Sequence, residues 1–345
     1  MLKVTDCSKS IMTNYSVGSW EDALPLLSAP VQTQIRRAEP MRNHTTLRVG
    51  GPADYFLNAT DTDTLAEVSA LAQRIGLPHF VLGAGSNVCV SDAGVRGMVI
   101  RNACRGAIIG EETRADAGHN FMRLFLLAMR AELSGLEFAV GIPGTVGGAL
   151  VSNAGAYRAN ICDLVEQVEV VEDGERKWVA PDWMEFSYRD SRLRRDAGKP
   201  ATLLGVKLRL TPAPKAQIRI KAKDLQMQRI LKQPWEPSAG SFFKNVNDWE
   251  LAQRLPMLPA PLKQKGIVPA GYLSEECGCR GYAIGGAAIS PQHGNFIVNR
   301  GNATARDIRK VAEHVKAQVG ERFGVQLEEE VLYVGAWELL QPSAV

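Results

Sequence analysis

Between Gly135 and Ala149 the chain reads Gly-Leu-Glu-Phe-Ala-Val-Gly-Ile-Pro-Gly-Thr-Val-Gly-Gly-Ala, five glycines and one proline in fifteen residues. That density is too high for an ordinary helix, because glycine loses much backbone entropy on ordering and proline lacks an amide donor. Such a segment offers bare main chain that a flat ligand can approach closely. Leu82-Gly-Ala-Gly-Ser-Asn87 is a second segment of this kind, entered from a short apolar run, Phe80-Val-Leu82. Asn153-Ala-Gly-Ala-Tyr157 is a third. Successive amides in these loops can cradle a pyrophosphate, and Ser86 and Asn87 add side-chain donors. The spacing is not the dinucleotide fingerprint, since no third glycine follows three residues after Gly85. Each loop alone reads equally well as a turn between strands. Together they suggest a long, flat ligand of flavin-dinucleotide shape. The expected contacts are Gly83, Ala84, Gly85, Ser86, Asn87, Gly141, Ile142, Pro143, Gly144, Gly147, Gly148, Asn153, Ala154 and Gly155.

The pattern around the loops predicts mixed α and β structure. Residues 47–57 read as strand, tight turn, strand. Residues 61–75 carry Leu65, Val68, Leu71, Ala72 and Ile75 at helical spacing, with Gly76 and Pro78 as the stop. Strands are expected at 80–82 and 95–100. Asn120 is placed to cap a helix whose face is Phe121, Leu124, Phe125, Ala128 and Met129. Alternation over 165–171 and 202–210 predicts an antiparallel sheet. Thr211-Pro-Ala-Pro214 looks like a domain boundary, and a basic run, 221–232, follows it. A last helix is expected over 304–323, with Thr304 and Asp307 at capping-box spacing, and a final strand at 332–334. The expected division is an N-terminal extension (1–38), two α/β units (39–110 and 111–213) and a C-terminal unit (214–345).

Composition removes several classes of function. The net charge is +3, from 40 basic and 37 acidic residues mixed along the chain. No basic stripe marks a nucleic-acid binder, although a local patch for a phosphorylated ligand is compatible with it. Six scattered cysteines, only Cys277 and Cys279 close together, lack zinc-site spacing and read as reduced thiols. No apolar run approaches a membrane span, and residues 1–10 have no signal-peptide core. The expectation is a cytoplasmic, monomeric protein without a metal.

Four segments carry residues able to do chemistry. Arg189, in the strand-like run Phe186-Ser-Tyr-Arg-Asp-Ser191, either faces solvent or holds a carboxylate by two parallel hydrogen bonds. Ser241, in Gly240-Ser-Phe-Phe-Lys-Asn245, is a turn residue or a shielded proton donor. In Leu327-Glu-Glu-Glu-Val331 strand alternation puts Glu328 and Glu330 on one face and Glu329 on the other. His293 is either structural or a ligand contact.

Taken in order, these segments carry a family resemblance. Asn43-His-Thr-Thr46, Arg48-Val-Gly-Gly-Pro-Ala-Asp54, the three glycine loops, Tyr188-Arg-Asp-Ser191, Gly240-Ser-Phe-Phe-Lys-Asn245, Asn295-Phe-Ile-Val-Asn299 and Leu327-Glu-Glu-Glu-Val331 resemble the UDP-N-acetylenolpyruvoylglucosamine reductase (MurB) family, in its type II subclass. The resemblance runs from about Asn43 to Gly335. It implies an α+β molecule, with the vanillyl-alcohol-oxidase (PCMH-type) FAD-binding fold in two subdomains and a C-terminal substrate-binding domain. It implies non-covalent FAD, NADPH as co-substrate, and reduction of UDP-N-acetylglucosamine enolpyruvate in peptidoglycan precursor synthesis. By the same resemblance Arg189 binds the substrate carboxylate, Ser241 protonates C2 and Glu330 assists Arg189. Tyr188, Lys244, Asn245, His293 and Asn295 are implied as substrate contacts, Asn245 against the diphosphate. Ser152, Arg158 and Val246 depart from the family's methionine, glycine and proline. A covalently flavinylated oxidase of the same fold would carry a histidine in the first glycine loop; His44 and His79 both lie outside it. The presence of Arg189, Ser241 and Glu330 together argues against a non-catalytic binding protein, although an inert descendant could keep all three and turnover is the test.

Overall fold

The computed structural model describes residues 18–156, 159–195, 201–230 and 233–338. Cys7, Tyr157, Arg158 and the last two residues of the basic run lie outside the described residues. The first unit is a four-stranded sheet in the order Arg36–Pro40, Pro52–Ala59, Val95–Asn102, His79–Leu82. The first pair is antiparallel and the rest are parallel. Helix Thr62–Arg74 makes the crossover between parallel strands. Asp61 caps it, accepting from the Thr64 amide at 2.8 Å. Its Leu65, Val68, Leu71 and Ala72 are buried on one face of the sheet.

Two expectations fail in this unit. No strand forms at 47–49: Arg48 has φ +56°, and the Thr46 amide bonds outward to the Gly85 carbonyl. Residues 20–38 are not an extension. Trp20, Ala23, Leu27 and Val31 are buried in the same core as the helix face, and Trp20 Nε1 donates to the Pro78 carbonyl at 2.8 Å. The short helix that the sequence suggests at 20–27 is present as Trp20–Ala23 and the 3-10 turn Leu24–Leu26, whereas the turn Ala29–Gln32 is too short for periodicity to reveal it.

The second unit is a five-stranded antiparallel sheet, ordered Glu175–Val179, Val165–Glu172, Thr202–Arg209, Glu112–Asp116, Ala107–Ile108. Helix Phe121–Arg130, capped by Asn120 onto the Arg123 amide, packs on it. The glycine segment does contain a helix, six residues long, Val146–Val151. Thr145 caps it by accepting from the Gly148 amide, and a Cβ on Gly147 would stand 3.0 Å from the Ala117 carbonyl oxygen. Here tight packing selects glycine within a helix that propensity argues against. The Pro212/Pro214 break does not separate two cores. Helix Lys215–Ile230 beyond it buries Ile218 and Ala222 with Phe121, Phe125 and Leu136 of the second unit.

The third unit is an antiparallel sheet, Ser238–Ser241, Phe296–Asn299, Ala287–Ile289, Ala283–Ile284, covered by helix Ala305–Phe323. The Thr304/Asp307 capping box is present. The final strand, Leu332–Val334, leaves this unit and pairs in parallel with Val88–Val90 of the first. None of the described helices is long and apolar enough to cross a membrane. The five described cysteines are free.

Candidate active site

The three units meet around a cavity of about 610 Å³. One wall is the first glycine loop, Gly83 to Asn87. The second is Ile142, Pro143, Gly144, Gly147 and Gly148, continued by Ala154 and Gly155. Ser86 Oγ donates to the Pro143 carbonyl at 3.1 Å and joins the two loops. Gly85 takes φ +67°, and a Cβ there would stand 2.1 Å from the His44 carbonyl oxygen, so only glycine fits. That close approach explains the Asn43–Thr46 motif. The Thr46 amide donates to the Gly85 carbonyl at 3.0 Å, and Thr46 Oγ1 donates to the Ser238 carbonyl at 2.6 Å.

Two loops of nearly bare main chain suit a dinucleotide, and buried polar atoms add to the fit. Thr202 lines the cavity with its Oγ1 buried and no partner recorded among the described residues. His79 also lines it; its Nδ1 faces the Leu77 carbonyl, and its buried Nε2 has no hydrogen-bond partner among the described residues. Burial holds the His79 ring below the ordinary histidine range, hence neutral. A second cleft of about 560 Å³ shares Gly83, Ala84, Gly144 and Thr145 with the first and carries Arg101, Arg105 and Arg123. It is a basic patch beside the glycine loops.

Arg189, Ser241 and Glu330 all line the main cavity, one from the second unit and two from the third. The 186–191 run is a turn rather than a strand, closed by a bridge between Ser187 and Asp190. Arg189 sits in it with φ +53°, a conformation costly for an arginine and sustained here by its contacts. Its guanidinium donates to the Asn153 and Gly155 carbonyls, and its Nε stands 3.4 Å from Glu330 Oε1. Ser241 is aimed by a β-bulge: Ser238 pairs with Val298 but Ser241 with Phe296, which leaves one extra residue, and Gly240 takes φ +78°. Burial pushes the Glu330 carboxyl above the usual carboxylate range, against the opposing pull of Arg189, Arg194 and Lys244.

The three glutamates do not follow strand alternation, because the segment makes only one bridge, Phe243 to Glu329. Glu328 pairs with Lys244 at 2.5 Å and is 64% exposed. Glu329 pairs with Lys316 at 3.0 Å. Glu330, 21% exposed, turns into the cavity.

Several expected contacts lie elsewhere. Gly141 is outside the cavity lining, at φ +73° with Arg229 against it. Asn153 is buried; its Nδ2 donates to the Ser187 carbonyl at 2.8 Å, so it supports the Arg189 turn. Asn295 is buried with both side-chain atoms spent on Phe243, accepting from its amide and donating to its carbonyl, each at 2.9 Å. It pins the loop after Ser241. Lys244, Tyr188 and Asn245 do not line the cavity either; Asn245 lies beside the Tyr188 side chain. His293 does line it, with Nδ1 accepting from the Asn295 amide at 3.1 Å, which places the proton of the neutral ring on Nε2. Ser152 donates to the Gly148 carbonyl, and Val246 pairs with Val268. Cavity residues missing from the sequence reading include Asn102, Thr202, Leu203, Arg194 and Arg229. Of these only Arg194 carried a signal, its four-residue spacing from Asp190.

Comparison with known proteins gives a consistent picture. Residues 53–179 match the model of an FAD binding domain, and residues 232–334 match the UDP-N-acetylenolpyruvoylglucosamine reductase C-terminal domain. UDP-N-acetylenolpyruvoylglucosamine reductase 2 of Symbiobacterium thermophilum is 40% identical over 304 residues, covering 86% of this chain and 91% of the relative. The Bacillus subtilis reductase is 35% identical over 302 residues, covering 86% and 93%. The crystal structure of the Thermus caldophilus reductase superimposes with a TM-score of 0.70 at 34% identity, over 87% of this chain and 98% of that one.

Proposed function

The chain belongs to the UDP-N-acetylenolpyruvoylglucosamine reductase family, and from that premise we propose how its cavity performs the family's reaction. The protein is an FAD-dependent oxidoreductase. It reduces UDP-N-acetylglucosamine enolpyruvate to UDP-N-acetylmuramate with NADPH, a step of peptidoglycan precursor synthesis. Its fold is the PCMH type of FAD-binding fold followed by a C-terminal α+β domain. FAD, when bound, relays hydride from NADPH to the enolpyruvyl group.

The residues supply the rest. The two glycine loops hold the dinucleotide by main-chain amides. Arg189 binds the substrate carboxylate and stabilises the charge that develops on it during reduction. Glu330, whose carboxyl burial shifts toward the neutral form, hydrogen-bonds to the same group and supports Arg189. Ser241 donates the proton at C2, and its bulge keeps the hydroxyl on the cavity side. The observation that carries this reading is the convergence of Arg189, Ser241 and Glu330, from distant segments, on one cavity walled by both glycine loops. His293 is the substrate contact the cavity supports; Tyr188, Lys244 and Asn245 act from outside its lining.

The test is an anaerobic two-step titration of the flavin-loaded protein. NADPH should bleach the flavin absorbance, and UDP-N-acetylglucosamine enolpyruvate should restore it. Loss of a general acid typically costs on the order of 100- to 10,000-fold. Ser241→Ala should therefore slow the restoring step by that order and the bleaching step far less. Bleaching that this substrate cannot reverse would overturn the reading.

A further inference from the structure

We propose that Arg194 is a positioning residue for this reaction, clamping the Glu330 main chain against the flavin-binding units so that the acid stands beside Arg189. The inference rests on the function proposed above. Arg194 lies on the short helix Arg192–Arg195, directly after the turn that carries Arg189. Its side chain is only 8% exposed and lines the cavity. Nη2 donates to the Glu330 carbonyl at 2.7 Å and to the Glu329 carbonyl at 3.3 Å, while Nε stands 3.9 Å from Asp190 Oδ1.

The Glu330 carbonyl is where the units join. Asn87 Nδ2, from the first glycine loop, donates to the same oxygen at 3.0 Å. The Glu330 amide donates to the Phe242 carbonyl at 2.8 Å, one residue beyond Ser241. First, second and third units thus fix the main chain of a single residue on both sides, and that residue carries the acid and braces the strand bearing the proton donor. A buried guanidinium is costly unless paired, and this one is directed largely at two main-chain oxygens of the catalytic segment. Its Nη2 reaches both carbonyls while Nε faces Asp190, a spread over two nitrogens that a single ammonium nitrogen does not span. Asn87, expected to contact the cofactor, is drawn into the same clamp.

The charged groups around Glu330 are Arg189, Arg194 and Lys244, with Asp190, Glu328 and Glu329 on the adjoining segments and Tyr188, Ser241 and His293 nearby. Arg194 is one of the cations favouring the ionised acid. Its removal should move the basic limb of the pH profile upward.

The experiment compares flavin-loaded Arg194→Gln and Arg194→Lys with the parent, by single-turnover flavin kinetics and by amide hydrogen exchange of residues 328–331. Small misplacement of reacting groups can cost about 100-fold. Arg194→Gln should slow recolouring by the UDP-sugar by roughly 10- to 100-fold, much more than it slows bleaching by NADPH. Its effect should fall on the turnover rate rather than on KM, with the basic limb moved up and exchange at 328–331 accelerated. Arg194→Lys should restore the limb but not the full rate. Unchanged exchange at 328–331 in Arg194→Gln would overturn the clamp, whatever the turnover. Equal slowing of bleaching and recolouring together with loss of flavin would also overturn it, as a purely structural role. Failure of the parent itself to recolour would sink the proposed function, leaving the exchange result to judge the clamp.

Discussion

At Glu330 two influences oppose each other. Burial favours the neutral acid, while Arg189, Arg194 and Lys244 favour the carboxylate, and the net displacement is upward. The neutral form therefore persists to higher pH than for an ordinary glutamate. The substrate-reducing step should lose rate as pH rises through the raised value, and Glu330→Gln should lose that basic limb. Stability follows the same sign. The folded state holds the proton more tightly than the unfolded chain, so the contribution is full at low pH and declines above the ordinary carboxylate range. Glu330→Gln should then match the parent in urea midpoint near pH 4 and equal or exceed it near pH 8. A midpoint that falls only at pH 8 would mean that the charged form is the stabilising one. The type of residue at this position was legible in the sequence, but its direction was not. Three consecutive glutamates look alike until Lys244, Lys316 and Arg189 each take a different one.

Elements defined by local chemistry were readable, and elements defined by distant partners were not. Helix Phe121–Arg130 and helix Ala305–Phe323 announce themselves through caps and apolar stripes that lie within a few residues. The run around Arg189 is as polar as a surface strand but is folded into a turn by Asn153, 34 residues away. The docking of the N-terminal turns is a similar case: a short helix at 20–27 is legible, but its place in the core comes from Trp20 inserting under the first sheet. Trp20 is 3% exposed, and replacing a buried tryptophan by alanine costs about 3–5 kcal/mol. Trp20→Ala should lower the unfolding free energy by that amount, read as a lower urea midpoint with little change in slope, while flavin content of the folded fraction is preserved. A loss below about 1 kcal/mol would place the segment outside the cooperative core. Helix Lys215–Ile230 gives the complementary lesson. The prolines before it interrupt the chain without interrupting the core, because Ile218 and Ala222 reach back into the second unit.

At the scale of the molecule, the site exists only where three units converge, and no spacing along the chain encodes that convergence. The bond from Asn87 to Glu330 joins residues 243 positions apart, and beside it Leu332–Val334 completes a ribbon with Val88–Val90. Closing a loop of that length costs on the order of 5 kcal/mol of chain entropy, so this seam is expected to form after the local helices and hairpins. On refolding from urea with FAD present, quenching of flavin fluorescence should recover before turnover of the UDP-sugar does. Simultaneous recovery would argue against a late seam. The parallel ribbon therefore acts as an order of assembly written into the topology. A chain arrested before its last strand docks has glycine loops able to bind dinucleotide, yet Glu330 is not in place. Reductase competence comes last, as the sign that the whole chain has found its place.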